Sequence, residues 1–371
     1  MRQLCGFAGV LLLGVSCAVT DPVAEPASAP ARDAIAELVR EELARQKIPG
    51  LSLAIVEHGR LVRAEGFGFA NLEHLVPAKA ETIYQSGSIG KQFTAALVLM
   101  LAQDGRFALD DPIARHLPGT PPSWERLTIR QLLQHTSGLA DPYAKLDLTR
   151  EYTEAELLAI DGQLPLLFEP GAKFSYSNMG YHVLGFLCSH VGGAFYGEQL
   201  AQRIFAPAGM RTARIISERE LVLHRAAGYE LEDGQPKNQR WASPSLNTTA
   251  DGSLYLSVLD FAAWDLSLTR GTPLGAELQA VMREPARLAD GTLSPYGCGW
   301  SVEPFEGREA ISHGGAWQGF TTFYLRLPRE ELSVIVLTNR AGADPGVIVK
   351  RIALQRLEER GSRPGSVTAP R

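Results

Sequence analysis

The chain has 371 residues, of which 45% are apolar and 21% charged, a composition that suits one large globular domain or two lobes and excludes wholesale disorder. Its formal charge is -5 and it has no basic block, so electrostatics give it no hold on nucleic acid, and that class is set aside.

The N-terminus differs from the rest. Arg2, the apolar run from Leu4 to Val15 and the small residues up to Ala18 have the layout of a secretory signal over residues 1–18. The run is too short for a permanent membrane span. The expectation is an exported protein, periplasmic or held on a bacterial membrane. Gly14-Val15-Ser16-Cys17 resembles a lipoprotein cleavage box, with Gly14 where that box has leucine. Membrane attachment through a lipidated Cys17 and ordinary cleavage both stay open. Residues 19–32, rich in Ala and Pro, read as a linker.

A helix is expected from Asp33 to Gln46, with Ile35, Leu38, Val39 and Leu43 at helical spacing, stopped by Pro49-Gly50. Leu51–Val56 and Leu61–Gly66 read as a hairpin around Gly59. Ser88–Asp104 reads as a buried helix, Ile129–His135 as a short one, and Tyr181–Val191 as an apolar one. Gly299–Glu303, Phe320–Leu327 and Leu332–Leu337 read as strands, Val347–Leu357 as a final helix and 361–371 as a tail. Strands at both ends with helices between predict an α+β fold. Its sheet lobe would span about 33–85 and 292–360, and a mainly helical lobe about 86–291. Cys188 and Cys298 lie in apolar surroundings, where pairing and burial as free thiols are both open.

Three patterns carry chemistry. In Ser88-Ile89-Gly90-Lys91 the lysine lies one helical turn from the hydroxyl and can act as its base if its pKa is lowered. In Tyr176-Ser177-Asn178 a phenol with a lowered pKa can relay a proton, and the amide can hold a substrate or the lysine. In His313-Gly314-Gly315 two glycines allow close approach of a ligand, and the histidine can bond a substrate or polarise the serine–tyrosine pair. Taken singly, each is as well explained by a cap or a turn.

Together, in this order, they resemble the class C β-lactamase-like, penicillin-binding-protein-like serine hydrolases, a group that includes carboxypeptidases, esterases and D-aminopeptidases. The resemblance extends through Ile48-Pro49-Gly50-Leu51, Leu132-Leu133-Gln134-His135-Thr136-Ser137-Gly138, Pro170-Gly171 to Tyr181, and Tyr296-Gly297-Cys298-Gly299-Trp300, over about residues 33–360. It implies a β-lactamase/transpeptidase-like fold, an antiparallel sheet flanked by the N- and C-terminal helices. It implies Ser88 as nucleophile, Lys91 and Tyr176 as its base system, Asn178, His313, Gly314 and Gly315 as substrate contacts, and the amides of Ser88 and Ala316 as oxyanion hole. His135 reads as structural. No cofactor or metal is implied, and the expected partner is a small-molecule or peptide substrate. Members that destroy β-lactams usually carry lysine where His313 stands, so esterase or D-aminopeptidase-like activity is favoured over β-lactamase or D-alanyl-D-alanine carboxypeptidase. A non-catalytic binding protein on the same fold is the competing class.

Other motifs fail. A phosphate loop ending at Gly90-Lys91 would need glycine at Gln85 and Ser or Thr at Gln92, and a nucleophile elbow around Ser88 would need glycine at Ser86.

Overall fold

The computed structural model describes residues 33–141, 143–215 and 219–361. The expected signal, linker, Cys17 and tail beyond 361 lie outside them.

The order of elements is α1 (Ala34–Gln46), β1 (Gly50–Glu57), β2 (Arg60–Asn71), β3 (Val76–Pro77), β4 (Tyr84–Gln85), α2 (Lys91–Gln103), α3 (Ile129–Leu133), α4 (Glu154–Gly162) and α5 (Asn178–Gly192). There follow α6 (Tyr196–Leu200), α7 (Ala206–Ala208), β5 (Tyr229–Glu232), β6 (Gln235–Asn238), β7 (Tyr255–Leu256), α8 (Val258–Arg270), α9 (Ala276–Arg283), β8 (Ile311–Trp317), β9 (Phe320–Leu327), β10 (Leu332–Thr338) and α10 (Pro345–Gly361).

The main sheet is antiparallel, in the order β3-β2-β1-β10-β9-β8. Its first strands come from one end of the chain and its last three from the other. β1 is central and buried along its whole length, because both sheet faces are covered. Successive side chains of a strand point to opposite faces. Leu51, Leu53 and Ile55 accordingly meet α1 and α10, while Ala54 and Val56 join the core of the helical lobe. Asp33 starts α1 by accepting from the Ala36 amide at 3.1 Å. α8 covers the inner face, and behind it Phe93 of α2 packs against Phe205, Phe261 and Trp264, with ring centres 5.6, 6.1 and 5.0 Å away.

The edge strand β8 lies against the one-turn 3-10 helix Gly87–Gly90 that leads into α2. That contact sets Ser88 between the two lobes.

Two expectations are corrected. No strand forms at 299–303. Ser301 makes only isolated bridges to Tyr296 and Ser312, because Gly299 has a left-handed φ of 75° and packs on Gln92, where a Cβ would come within 2.7 Å of its Cα. The strand is instead β8, the segment that carries His313-Gly314-Gly315. The returning strand β2 runs on to Asn71, and α4, α6, α7, α8 and α9 were not foreseen. Cys188 and Cys298 are both free and buried, which pushes both thiols up, Cys298 to about 12. Among the described residues no helix is long and apolar enough to cross a membrane.

Phe93 is wholly buried among aromatic rings. Phe93→Ala should cost about 3–5 kcal/mol, read as a lowered urea midpoint with an unchanged slope.

Candidate active site

Ser88 sits on the 3-10 turn ahead of α2, and the turn is tied down on two sides. Thr322 of β9 donates to the Ser86 carbonyl at 2.6 Å, and the Ser86 hydroxyl donates to the Gly252 carbonyl at 3.1 Å. Gly87 has a φ of 55°, and a Cβ on it would lie 2.5 Å from the Ala316 nitrogen. Glycine is needed there on both counts.

Lys91 is the first residue of α2 and has no exposed surface. Its Nζ is 3.0 Å from Ser88 Oγ, 2.7 Å from Asn178 Oδ1 and 2.6 Å from the Asp251 carbonyl oxygen. Burial lowers its pKa to about 8, against the pull of the Asp251 and Asp141 carboxylates. Asn178 opens α5, and the Ser177 hydroxyl caps that helix by accepting from the Gly180 amide. The Asn178 amide nitrogen donates to Asp141 at 2.7 Å, which turns its oxygen toward Lys91.

Tyr176 lies over Lys91, with the amine 4.9 Å from the ring centre, and its hydroxyl is within hydrogen-bonding reach of Ser88. Although the ring is partly exposed, burial of its hydroxyl end pushes the phenol well above its ordinary value. The expectation of a lowered tyrosine pKa is therefore corrected: Tyr176 is a neutral phenol at rest. The His135 Nδ1 accepts from the Ser177 amide at 3.2 Å, and its ring lies 4.2 Å from that of Tyr176, so it holds the tyrosine loop in place.

The His313 Nδ1 is 2.6 Å from the Gly314 carbonyl, which can only accept, so Nδ1 carries the proton. Nε2 then accepts from the Tyr296 hydroxyl at 2.8 Å. Burial, with Lys91 nearby, lowers this imidazole to about 4. Both nitrogens are occupied, so the expected hydrogen bond from His313 to a substrate is not available in this arrangement. The two glycines also differ. A Cβ on Gly314 would make an ordinary contact with Phe323, whereas one on Gly315 would fall 2.1 Å from the Ser86 carbonyl and 3.1 Å from the Ser88 nitrogen. The close approach that Gly315 permits in this structure is to the serine turn.

Ser88 and Ala316 line one cavity of about 160 Å³ with Tyr143, Asp251 and Trp317, and among the described residues no lysine or arginine lines it. The Tyr143 and Trp317 rings are 5.7 Å apart. Larger hollows, of about 620 Å³ beside Trp241 and about 880 Å³ beside α4, contain no serine–lysine pair. No metal-binding group of three side chains is found among the described residues.

Three residues here escaped the sequence reading. The Asp251 carboxylate pairs with His182 at 3.0 Å and accepts from Tyr143 at 3.0 Å. Burial works to raise Asp251, but His182 and Lys91 hold it well below the carboxylate range, and burial of His182 is outweighed by Asp251, which raises it. The available signal was a histidine within an apolar helix, four residues after Asn178.

The beta-lactamase family model matches residues 35–357. The chain belongs to the beta-lactamase family. It is 28% identical over 306 residues to penicillin-binding protein 4* of Bacillus subtilis, covering 76% of this chain and 66% of that protein. It is 30% identical over 307 residues to a D-aminopeptidase of Gluconobacter oxydans, covering 80% of this chain and 56% of that protein. It thus spans little more than half to two thirds of the length of these curated relatives. The octameric penicillin-binding protein homologue of Pyrococcus abyssi superposes with a TM-score of 0.77 at 29% identity, over 87% of this chain and 77% of that one. The D-amino acid amidase of Ochrobactrum anthropi, 24% identical, shares the fold with a TM-score of 0.77 over 88% of this chain and 99% of that one. The β-lactamase/transpeptidase-like fold, an antiparallel sheet with flanking helices, is thereby established.

Within this family frame the strand–turn contact is testable. Gly315→Ala should lower kcat/KM for any substrate of the site at least tenfold, by pushing β8 off the Ser88 turn, and Gly314→Ala should cost far less. Parallel melting curves would show whether the loss is local.

Proposed function

We propose that the chain is a serine hydrolase working through an acyl-enzyme on Ser88. The observation that carries this is the coordination of Lys91. A neutral amine has two hydrogens and one lone pair. Asn178 Oδ1 and the Asp251 carbonyl can only accept, so they take the two hydrogens and leave the lone pair for the Ser88 hydroxyl. Lys91 then removes the Ser88 proton as Oγ attacks a carbonyl carbon. The amides of Ser88 and Ala316 stabilise the oxyanion, at about 3 kcal/mol per donor in other acyl-transfer sites. Tyr176 donates its proton to the leaving group and recovers one from Lys91. Water attacks the acyl-enzyme by the same route in reverse and releases the acid. No cofactor enters these steps.

For substrate we propose esters or amides of small molecules or peptides, of the esterase or D-aminopeptidase kind. The support is the neutral His313 and, among the described residues, a cavity lining without lysine or arginine, so that apart from Lys91 a β-lactam or D-alanine carboxylate meets no cation there. The similarity to the Gluconobacter oxydans D-aminopeptidase points the same way. The first assay pairs a short-chain p-nitrophenyl ester with a chromogenic cephalosporin. Ester turnover that vanishes in Ser88→Ala, with little cephalosporin cleavage, is the expected result. Fast cephalosporin cleavage would return the β-lactamase reading. A folded protein that neither turns over nor takes a serine-directed phosphonate on Ser88 would be a binding protein.

The pH dependence has a definite sign. The base must be unprotonated, so kcat/KM should climb as pH rises through about 8, where Lys91 loses its proton, and then level off. Neutral His313 adds no limb above about pH 5. A rate that falls between pH 6 and 9 would rule out Lys91 as base.

We also propose export, either to the periplasm after ordinary cleavage or to a membrane through a lipidated Cys17. Membrane-fraction protein that becomes soluble in Cys17→Ala would support lipidation, and an unchanged distribution would exclude it.

A further inference from the structure

Asp251 has two functions in one residue. Its main-chain oxygen takes a proton of Lys91 at 2.6 Å. Its carboxylate points the other way, to His182 at 3.0 Å and the Tyr143 hydroxyl at 3.0 Å. His182 is wholly buried on α5, four residues after Asn178, and residues so spaced share a helix face. Both oxygens that accept from Lys91 are therefore referred to one helix, Asn178 directly and Asp251 through His182.

We propose that Asp251 is a positioning residue for Lys91, and that its ion pair with His182 fixes the charge that the lysine feels. This rests on the reading of Lys91 as base. A lone carboxylate this close, out of water, would favour the ammonium form, which cannot accept the serine proton. A protonated His182, which Asp251 favours, would oppose that field. Packing alone does not call for such a pair, since buried ion pairs are commonly matched in stability by apolar groups of the same size. Other groups face the pair. Lys91 of α2, Tyr143, Thr249 and Tyr196 lie around the carboxylate, Asp161 of α4 faces His182, and the Asp141 carboxylate acts on Lys91 as that of Asp251 does.

The test compares Asp251→Asn, which keeps the main-chain oxygen and the size, with His182→Gln, which keeps a donor without the charge. Removing the anion should move the acid limb of kcat/KM to lower pH by about one unit, and removing the cation should move it to higher pH by about one unit. A purely structural pair would lower activity in both without opposite displacements. A 15N NMR titration of the Lys91 amine in the three proteins reads the same two shifts without turnover. Absence of Ser88-dependent hydrolysis in the wild type would sink the hydrolase reading while this titration still decides the present one. Coincident curves, or shifts of one sign, overturn the proposal. So does Asp161→Asn shifting the limb as far as Asp251→Asn, which would place the control on α4. If one variant fails to fold, the other still carries its own sign.

Discussion

The site depends on one amine taken out of water. Lys91 has no exposed surface, and burying an ammonium without compensation costs several kcal/mol. The fold meets this with two acceptors from distant segments, Asn178 at 87 residues and the Asp251 carbonyl at 160 residues along the chain. Burial favours the neutral amine, while these acceptors and the Asp251 and Asp141 carboxylates favour the ammonium, and the balance leaves the pKa at about 8.

The division of labour between the lobes follows from that. α2 and α5 supply the amine and its partners. The sheet supplies β8, whose free edge is occupied by the serine turn instead of another strand. An uncovered edge invites pairing with another chain. Here it is closed by a contact so tight that neither Gly87 nor Gly315 has room for a Cβ. The same closeness puts Ala316 beside Ser88, so sealing the edge and building the oxyanion side are a single packing event.

Local spacing was legible in the sequence. Ser88 and Lys91 are one helical turn apart, and the sequence pattern placed the first hairpin and the last two strands of the sheet. What failed needed long-range contacts. His313 was visible, but its partner Tyr296 lies in an irregular loop that no periodicity marks, so the use of both its nitrogens was not. The lowered phenol expected of Tyr176 took account of the lysine and could not include the burial. The strand expected at 299–303 followed apolar alternation past Gly299, whose backbone is shaped by packing on Gln92. α8 carries a readable signal, the Ser257–Asp260 capping box. Asp251 has none, because its importance comes from His182 on a helix far from it in sequence.

These contacts also bear on selectivity. His313 is held neutral, and among the described residues no lysine or arginine lines the cavity beside Ser88. The cavity beside Ser88, about 160 Å³, is walled by the Tyr143 and Trp317 rings. That is close to the volume of an engineered apolar cavity of about 150 Å³ that holds one benzene ring. Tyr143 is also one of the two groups that anchor the Asp251 carboxylate. The cavity wall and the clamp on Asp251 therefore share a side chain, so that in the proposed hydrolase a substitution reshaping one would alter the other and tie substrate choice to the protonation of Lys91.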